Sequence, residues 1–168
     1  NGIANNDESG TSVSGVGDVN GDGIDDLLIG ASQAEPNGFR SGQSYVVFGG
    51  NSSFPAAFDL SSLDGTNGFI DGTFDQLGNS VSGAGDVNGD GINDLLLGAY
   101  NALNGAGRSY VLFGSNAGFN ATFDLATLDG TNGFSIAGID GTFDQLGNSV
   151  SGAGDVNGEG IEELIIGA

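Results

Sequence analysis

Cysteine, methionine, tryptophan and histidine are all absent from this 168-residue chain, lysine is absent as well, and proline occurs only twice. No disulfide can staple the fold, although the lack of cysteine by itself is compatible with either redox compartment. Without His, Cys or Lys, the candidates for general acid–base chemistry shrink to carboxylates and tyrosine. A carboxylate pair suffices for glycoside hydrolysis, but no pair here stands apart from a repeated pattern, so the chain is read as non-enzymatic. Apolar runs are short, well below the ~18 consecutive residues of a membrane-spanning helix. A starting methionine and a signal peptide are missing too, the mark of a processed chain or of a window on a longer one.

Positive charge is nearly absent. Arg40 and Arg108 stand against 22 acidic residues, for a formal charge of −20. That balance excludes nucleic acid and membrane insertion or anionic membrane surfaces as direct partners. It also makes the chain repel itself, which bound divalent ions would relieve where the acids are densest. With 38% hydrophobic residues in regular short runs, the chain is expected to fold rather than remain disordered. The composition fits a durable, exported, bacterial protein, secreted or at the cell surface.

What the chain does contain is an acidic nonapeptide in three copies: Asp18-Val-Asn-Gly-Asp-Gly-Ile-Asp-Asp26, Asp86-Val-Asn-Gly-Asp-Gly-Ile-Asn-Asp94 and Asp155-Val-Asn-Gly-Glu-Gly-Ile-Glu-Glu163. Side-chain oxygens at positions one, three, five and nine can converge on one hard cation, with the backbone carbonyl of position seven as a further donor. Oxygen-only ligation rich in carboxylates selects Ca²⁺ over zinc or copper. The candidate ligands are Asp18, Asn20, Asp22, Ile24 and Asp26 in the first copy, and Asp86, Asn88, Asp90, Ile92 and Asp94 in the second. In the third they are Asp155, Asn157, Glu159, Ile161 and Glu163, a variant set whose two glutamates add methylenes that the loop must absorb. Two calcium sites and a variant third are therefore expected.

Two other readings of the nonapeptide compete. An EF-hand starts in the same way but needs a Glu at position twelve and a following helix; here position twelve is Ile29, Leu97 or Ile166, inside a short apolar run that ends in Gly-Ala and reads as a strand. Acidic turns between strands are the other possibility. Three copies with the same order of oxygens are hard to explain by turn chemistry.

The repeat is longer than the loop. Asp18, Asp86 and Asp155 are 68 and 69 residues apart, and other landmarks return at that period. Ser44-Tyr-Val-Val-Phe-Gly49 returns at 109–114, Phe58-Asp-Leu60 at 123–125, Leu63 to Phe69 at 128–134, and Asp71 to Gly83 at 140–152. Four strand signals fall in one period: 80–84, 95–99, 110–113 and 134–139. No helical stripe interrupts them, and four antiparallel strands per period of this length make the blade of a β-propeller.

These residues resemble the FG-GAP repeat, the blade unit of the integrin α-subunit propeller. Phe48-Gly49 and Phe113-Gly114 match its F-G element, Gly30-Ala31-Ser32 and Gly98-Ala99-Tyr100 its G-A-P element, and residues 18–26 and 86–94 its calcium loop between the first two strands of a blade. The resemblance implies an all-β, incomplete or open array: a first blade over 1–66, a second over 67–131 and a partial third over 132–168. It implies a calcium-binding extracellular structural or adhesive repeat protein. The alternatives are a ligand-binding propeller fragment of a larger secreted adhesin or receptor, or a non-catalytic module of a secreted enzyme.

Expected partners are further copies of the chain or neighbouring blades of one polypeptide, together with a protein or glycan ligand. The edge strand at 164–166 and the segment Gly2-Ile-Ala4, read as the start of an outer strand, are the ends through which assembly is expected. Phe48, Phe69, Phe113 and Phe134 recur at blade spacing and are read as core. Asp59 and Asp124, Asp64 and Asp129, and Asp71 and Asp140 are read as turn caps, and Arg40 and Arg108 as anchors for a carboxylate of an adjacent blade.

Overall fold

A computed structural model describes residues 3–4, 6–72, 76–139 and 143–168. Eleven strands are distributed over three sheets: β1 Ser12–Gly17, β2 Asp26–Ala31, β3 Gln43–Val47, β4 Gly68–Asp71, β5 Ser80–Gly85, β6 Asp94–Ala99, β7 Arg108–Leu112, β8 Thr122–Phe123, β9 Gly133–Ala137, β10 Ser149–Gly154 and β11 Glu163–Gly167. The strand orders are β1-β2-β3-β4-β8, β5-β6-β7-β9 and β10-β11. Within each repeat the pairing is antiparallel and the register recurs, with Val13 opposite Ile29, Val81 opposite Leu97 and Val150 opposite Ile166. These are blades of an all-β, propeller-type array that does not close on itself.

The boundaries at 66 and 131 read from the repeat fall just before the last strand of a sheet; by hydrogen bonding, β4 completes the first blade and β9 the second. One strand is shared between repeats. β8 belongs by sequence to the second period, yet it runs parallel to β4 on the outer edge of the first blade. Helical structure is confined to single turns. The turn Ala102–Gly105 has left-handed backbone at Leu103 and Asn104, which is why no helical stripe marks it.

The blades stack face to face, and strand alternation divides the core accordingly. Leu28, Val46, Phe48 and Phe69 of the first blade meet Leu95, Leu97, Tyr110 and Leu112 of the second. Leu96 and Val111, one residue out of phase with those, point the other way onto Val150, Leu164 and Ile166 of the third. Tyr45, Val47, Leu60 and Leu63 form a separate cluster on the far face of the first blade.

The first strands of the blades lie side by side and are tied through serine. Ser12 and Ser14 hydroxyls accept the N–H of Val81 (3.0 Å) and Gly83 (3.3 Å), and Ser80 and Ser82 accept those of Val150 (3.0 Å) and Gly152 (3.2 Å). Each Ser-Val-Ser-Gly strand thus presents two hydroxyls to the next blade. Because these strands run side by side in this way, the loops that follow them all emerge at the same end of the array.

Several sequence expectations are revised here. Ile3 and Ala4 lie in a bend, with the Ala4 N–H donated to Asp7 at 2.7 Å, rather than in an outer strand; Gly2 lies outside the described residues. Phe48 and Phe69 are buried, with Phe119 stacked on Phe69, whereas Phe134 is 38% exposed. Arg40 stands over Phe39 and Arg108 over Tyr110, each on a ring of its own blade, ring contacts additional to the expected carboxylate anchoring.

Among the acidic residues, Asp59 and Asp124 cap one-turn helices through the N–H of Ser61 and Ala126, and Asp64 and Asp129 accept from Thr66 and Thr131. Asp71 does not cap a turn. It is a strand residue, 2% exposed, and neither carboxylate oxygen has a hydrogen-bond partner among the described residues. Asp140 lies outside the described residues.

Candidate metal centre

Each nonapeptide connects the first two strands of a blade, and a bulge aims it. The β1–β2 register shifts between Gly15 and Gly17, and the same shift occurs between Gly83 and Gly85 and between Gly152 and Gly154. The extra residue bends the strand and turns position one of the loop inward. Asp18 Oδ1 then accepts the N–H of Gly21 (2.7 Å) and Asp22 (3.1 Å), and Oδ2 accepts that of Gly23 (2.7 Å). Asp86 repeats these bonds at 2.7, 3.0 and 2.7 Å, and Asp155 at 2.6, 3.1 and 2.8 Å.

Positions three and five complete the frame. Asn20 Oδ1 accepts the Asp22 N–H at 2.9 Å, its amide donates to Asp22 Oδ2 at 3.2 Å, and Asp22 Oδ1 accepts the Ile24 N–H at 2.9 Å. The second loop does the same with Asn88, Asp90 and Ile92. The last of these bonds fixes the peptide just before the residue whose carbonyl is the seventh-position donor.

Position nine is the buried end of the loop. Asp26 and Asp94 are 0% exposed. Asp26 accepts the N–H of Val19 (2.9 Å) and of Gly49 (2.7 Å), and Asp94 those of Val87 and Gly114, both at 2.9 Å. The F-G glycine of the third strand is therefore captured by the ninth-position aspartate. Only glycine fits there, because a Cβ on Gly49 or Gly114 would run into the backbone carbonyl of Asp25 or Asn93.

Burial raises the pKa of both aspartates. The Gly49 and Val19 N–H groups lower that of Asp26, and the charges of Asp22 and Asp18 raise it again. In Asp94 burial prevails over the N–H groups of Gly114 and Val87, and the charges of Asp90 and Asp86 add to it, so that the carboxyl is pushed up to about 6. Positions one, five and nine thus repel one another within a single loop.

The third loop differs at its two glutamates. Glu163 accepts the Val156 N–H at 2.8 Å as its counterparts do, but its second oxygen accepts from the Asn157 side chain. The amide that points to position five in the other loops is drawn to position nine by the longer side chain. Asp155 keeps its frame, and the N–H of Gly160, then those of Gly158 and Glu159, hold its carboxyl below the usual aspartate range.

Among the described residues, no group of three or more His, Cys, Asp or Glu side chains stands in metal-holding position. The nonapeptide donor set, by contrast, includes an asparagine and a backbone carbonyl. Its chemistry fits a hard cation, because all the donors are oxygen and several are carboxylates. The residues that would hold the ion are the five donors of each loop, and the ion would supply the positive charge that three mutually repelling carboxylates lack.

Two sets of residues at this end were not singled out from the sequence. Asn93, at position eight of the second loop, accepts the Asp18 N–H at 3.1 Å and donates its own N–H to the Asp18 carbonyl at 3.0 Å. Glu162, at position eight of the third, donates its N–H to the Asp86 carbonyl at 3.4 Å. The inner-strand serines are the second set. Their recurring spacing of two, which places both hydroxyls on one strand face, was the available signal.

Comparison with known proteins agrees with this architecture. Residues 9–47 and 77–112 match the FG-GAP repeat. Over 158 residues the chain is 32% identical to the Bos taurus phosphatidylinositol-glycan-specific phospholipase D, covering 90% of this chain and 17% of that protein. It is 30% identical over 159 residues to Mus musculus integrin alpha-8, covering 91% of this chain and 14% of the relative. Against Mus musculus integrin alpha-IIb it is 32% identical over 164 residues, with 91% and 14% covered. The chain spans less than a fifth of the length of these relatives. On the matched repeats, the recurrent strand register and the placement of the loops, the chain belongs to the FG-GAP repeat family.

Proposed function

We propose that this chain is a calcium-binding, extracellular or cell-surface repeat module with a structural or adhesive, non-catalytic role. The observation that carries the reading is the row of three acidic loops at one end of the stacked blades, the second and third each tied to the loop before it through their own eighth residues, Asn93 and Glu162. An ion held by Asp18, Asn20, Asp22, the Ile24 carbonyl and Asp26 neutralises the repulsion within the first loop. The Asn93 contact then passes that rigidity to the second loop, whose donors are Asp86, Asn88, Asp90, Ile92 and Asp94. In the third loop Asp155, Asn157, Glu159, Ile161 and Glu163 bind more weakly, because Glu163 engages the Asn157 amide.

A binding role for a protein or glycan ligand, with the open faces covered by further blades or further copies, follows the likeness to integrin α chains. The likeness to a phospholipase D supports a second reading, a non-catalytic module within a larger secreted enzyme. Neither reading requires a membrane-spanning helix, and no helix among the described residues is long and apolar enough to be one.

Native mass spectrometry of the chain in millimolar calcium tests the proposal. Two bound ions are expected in the parent protein and three in the double variant Glu159→Asp, Glu163→Asp, which releases the Asn157 amide and restores the side-chain reach of the other two loops. The absence of specifically bound ions would overturn it.

A further inference from the structure

Asn-Gly steps recur along this chain, and the fold holds their asparagines in two different directions. In the acidic loops the side chain is folded forward. Asn20 Oδ1 accepts the N–H of Asp22, two residues on, at 2.9 Å, Asn88 that of Asp90 at 2.8 Å and Asn157 that of Glu159 at 2.9 Å. This closes an Asx-turn and lays Cγ over the intervening peptide, whose nitrogen belongs to Gly21, Gly89 or Gly158. In the turns before β4 and β9 the side chain is held backward. Asn67 Oδ1 accepts the Asp64 N–H at 3.0 Å and its amide donates to the Ser62 carbonyl at 3.0 Å; Asn132 does the same with Asp129 (3.1 Å) and Thr127 (3.2 Å).

The forward-folded asparagines also stand among groups suited to attack by the glycine nitrogen. Asp18 Oδ1 accepts the Gly21 N–H at 2.7 Å, within reach of a proton acceptor, and Asp86 and Asp155 stand in the same relation to Gly89 (2.7 Å) and Gly158 (2.6 Å). The N–H two residues on donates to Oδ1, the atom on which negative charge develops when Cγ is attacked. Gly21, Gly89 and Gly158 are exposed to water, whereas Gly68 and Gly133 are buried at the starts of β4 and β9.

We propose that Asn20, Asn88 and Asn157 are sites of self-modification, each converted to aspartate or isoaspartate through a succinimide formed with the following glycine, and that a filled acidic loop suppresses the conversion. The glycine nitrogen gives up its proton and bonds to Cγ; the Cγ–Nδ2 bond breaks, and the amide leaves as ammonia with that proton. Water then opens the ring at one carbonyl or the other. One water is consumed and one ammonia released, with no oxidant or reductant. Aspartate adds a further acid to the loop, while isoaspartate inserts a methylene into the backbone after position three and spoils the convergence of the donors.

The suppression rests on the calcium reading proposed above. In a filled loop the oxygens of Asp18 and Asn20 are committed to the ion, so the Gly21 nitrogen loses its proton acceptor and Cγ is pinned. The third loop, where Glu163 engages the Asn157 amide, binds more weakly and stays reactive. Calcium thereby sets the chemical lifetime of the loops.

The full chain is incubated in mildly alkaline heavy-oxygen water, in chelator or in millimolar calcium, at a temperature at which circular dichroism shows it folded in both. Peptide mass spectrometry follows the exchange of amide for heavy oxygen at each asparagine. In chelator the three loop asparagines are expected to convert about tenfold faster than Asn67 and Asn132, the scale of one hydrogen bond gained by the developing oxyanion. In calcium, Asn20 and Asn88 are expected to slow by about tenfold while Asn157 continues. Should the chain not fold in chelator, Asp22→Ala in calcium serves instead: it empties the first loop but keeps the backbone N–H that Asn20 accepts, so Asn20 is expected to convert while Asn88 stays protected.

Conversion of Asn67 and Asn132 as fast as the loop asparagines, or no conversion in the loops, would overturn the proposal whatever the state of the calcium sites. Equal rates at Asn20 and Asn88 with and without calcium would overturn the suppression. Native mass spectrometry of the same samples then separates the two failures: empty loops contradict the calcium reading, and filled loops contradict this inference alone.

Discussion

Asn93 and Asp18 hold each other across two blades, the Asn93 side-chain oxygen accepting the Asp18 N–H at 3.1 Å and the Asn93 N–H reaching the Asp18 carbonyl at 3.0 Å. Asp18 opens the first acidic loop and Asn93 is the eighth residue of the second, so the two loops are mechanically one. Asn93→Leu keeps the backbone bond and removes the side-chain acceptor. A loss of about 1 kcal/mol is expected, read as a lower urea midpoint, with a larger loss in calcium than in chelator because the variant uncouples a loop that the ion stiffens.

The exposed carboxylates at position five are expected to matter chiefly through the ion. Asp22→Ala or Asp90→Ala removes one ion each and forfeits about 1.4 kcal/mol at a calcium concentration ten times the dissociation constant. In chelator the same variants are expected to be neutral or slightly stabilising, since each removes one of three repelling charges. Isothermal titration calorimetry for stoichiometry and melting in both conditions check this.

Asp71 is expected to make stability fall as pH rises. Burial, and then the charge of Asp124, push its carboxyl well above the ordinary 3.8, and the adjacent Gly72 N–H offsets this only in part without meeting hydrogen-bond geometry. An acid whose folded pKa is raised binds more protons folded than unfolded. Its contribution is therefore complete below the unfolded value and is lost as pH climbs through the folded one. Asp71→Asn is expected to flatten the fall in stability as pH rises above the ordinary aspartate range, on the order of 1–3 kcal/mol for an unsatisfied buried group. Urea denaturation across that range measures it.

Equivalent phenylalanines are expected to differ sharply. Phe69→Ala empties a fully buried position under Phe119 and Phe48 and is expected to cost about 3–5 kcal/mol. Phe134→Ala removes a ring that is 38% exposed and meets Phe113 edge-on, and a loss of about 1 kcal/mol is expected, the typical value for a point substitution. Parallel denaturation curves of the two variants provide the comparison.

That contrast also marks what could be read from sequence. Period-two alternation and the 68- and 69-residue spacing located the strands and loops, because both are local. Which copy of a repeated residue is covered depends on its neighbour in space, so Phe69 and Phe134 looked alike. The same limit hid β8, a two-residue strand whose partner lies 52 positions earlier, and it hid Asp71, which resembles a turn cap until β3 is placed beside it. Position eight of the acidic loop escaped notice for a related reason. It donates nothing within its own loop, and only stacking of the blades brings Asn93 onto Asp18.

The central claim is that calcium in these loops stabilises the stacked blades, and thermal unfolding of the parent chain in millimolar calcium and in excess chelator tests it most directly. Two occupied sites at ten times their dissociation constant contribute about 2.8 kcal/mol, which for a chain of this size corresponds to a rise of roughly 5–10 °C in Tm. The account predicts that rise, and its reduction by about half in Asp90→Ala. Superimposable melting curves in calcium and in chelator would contradict it.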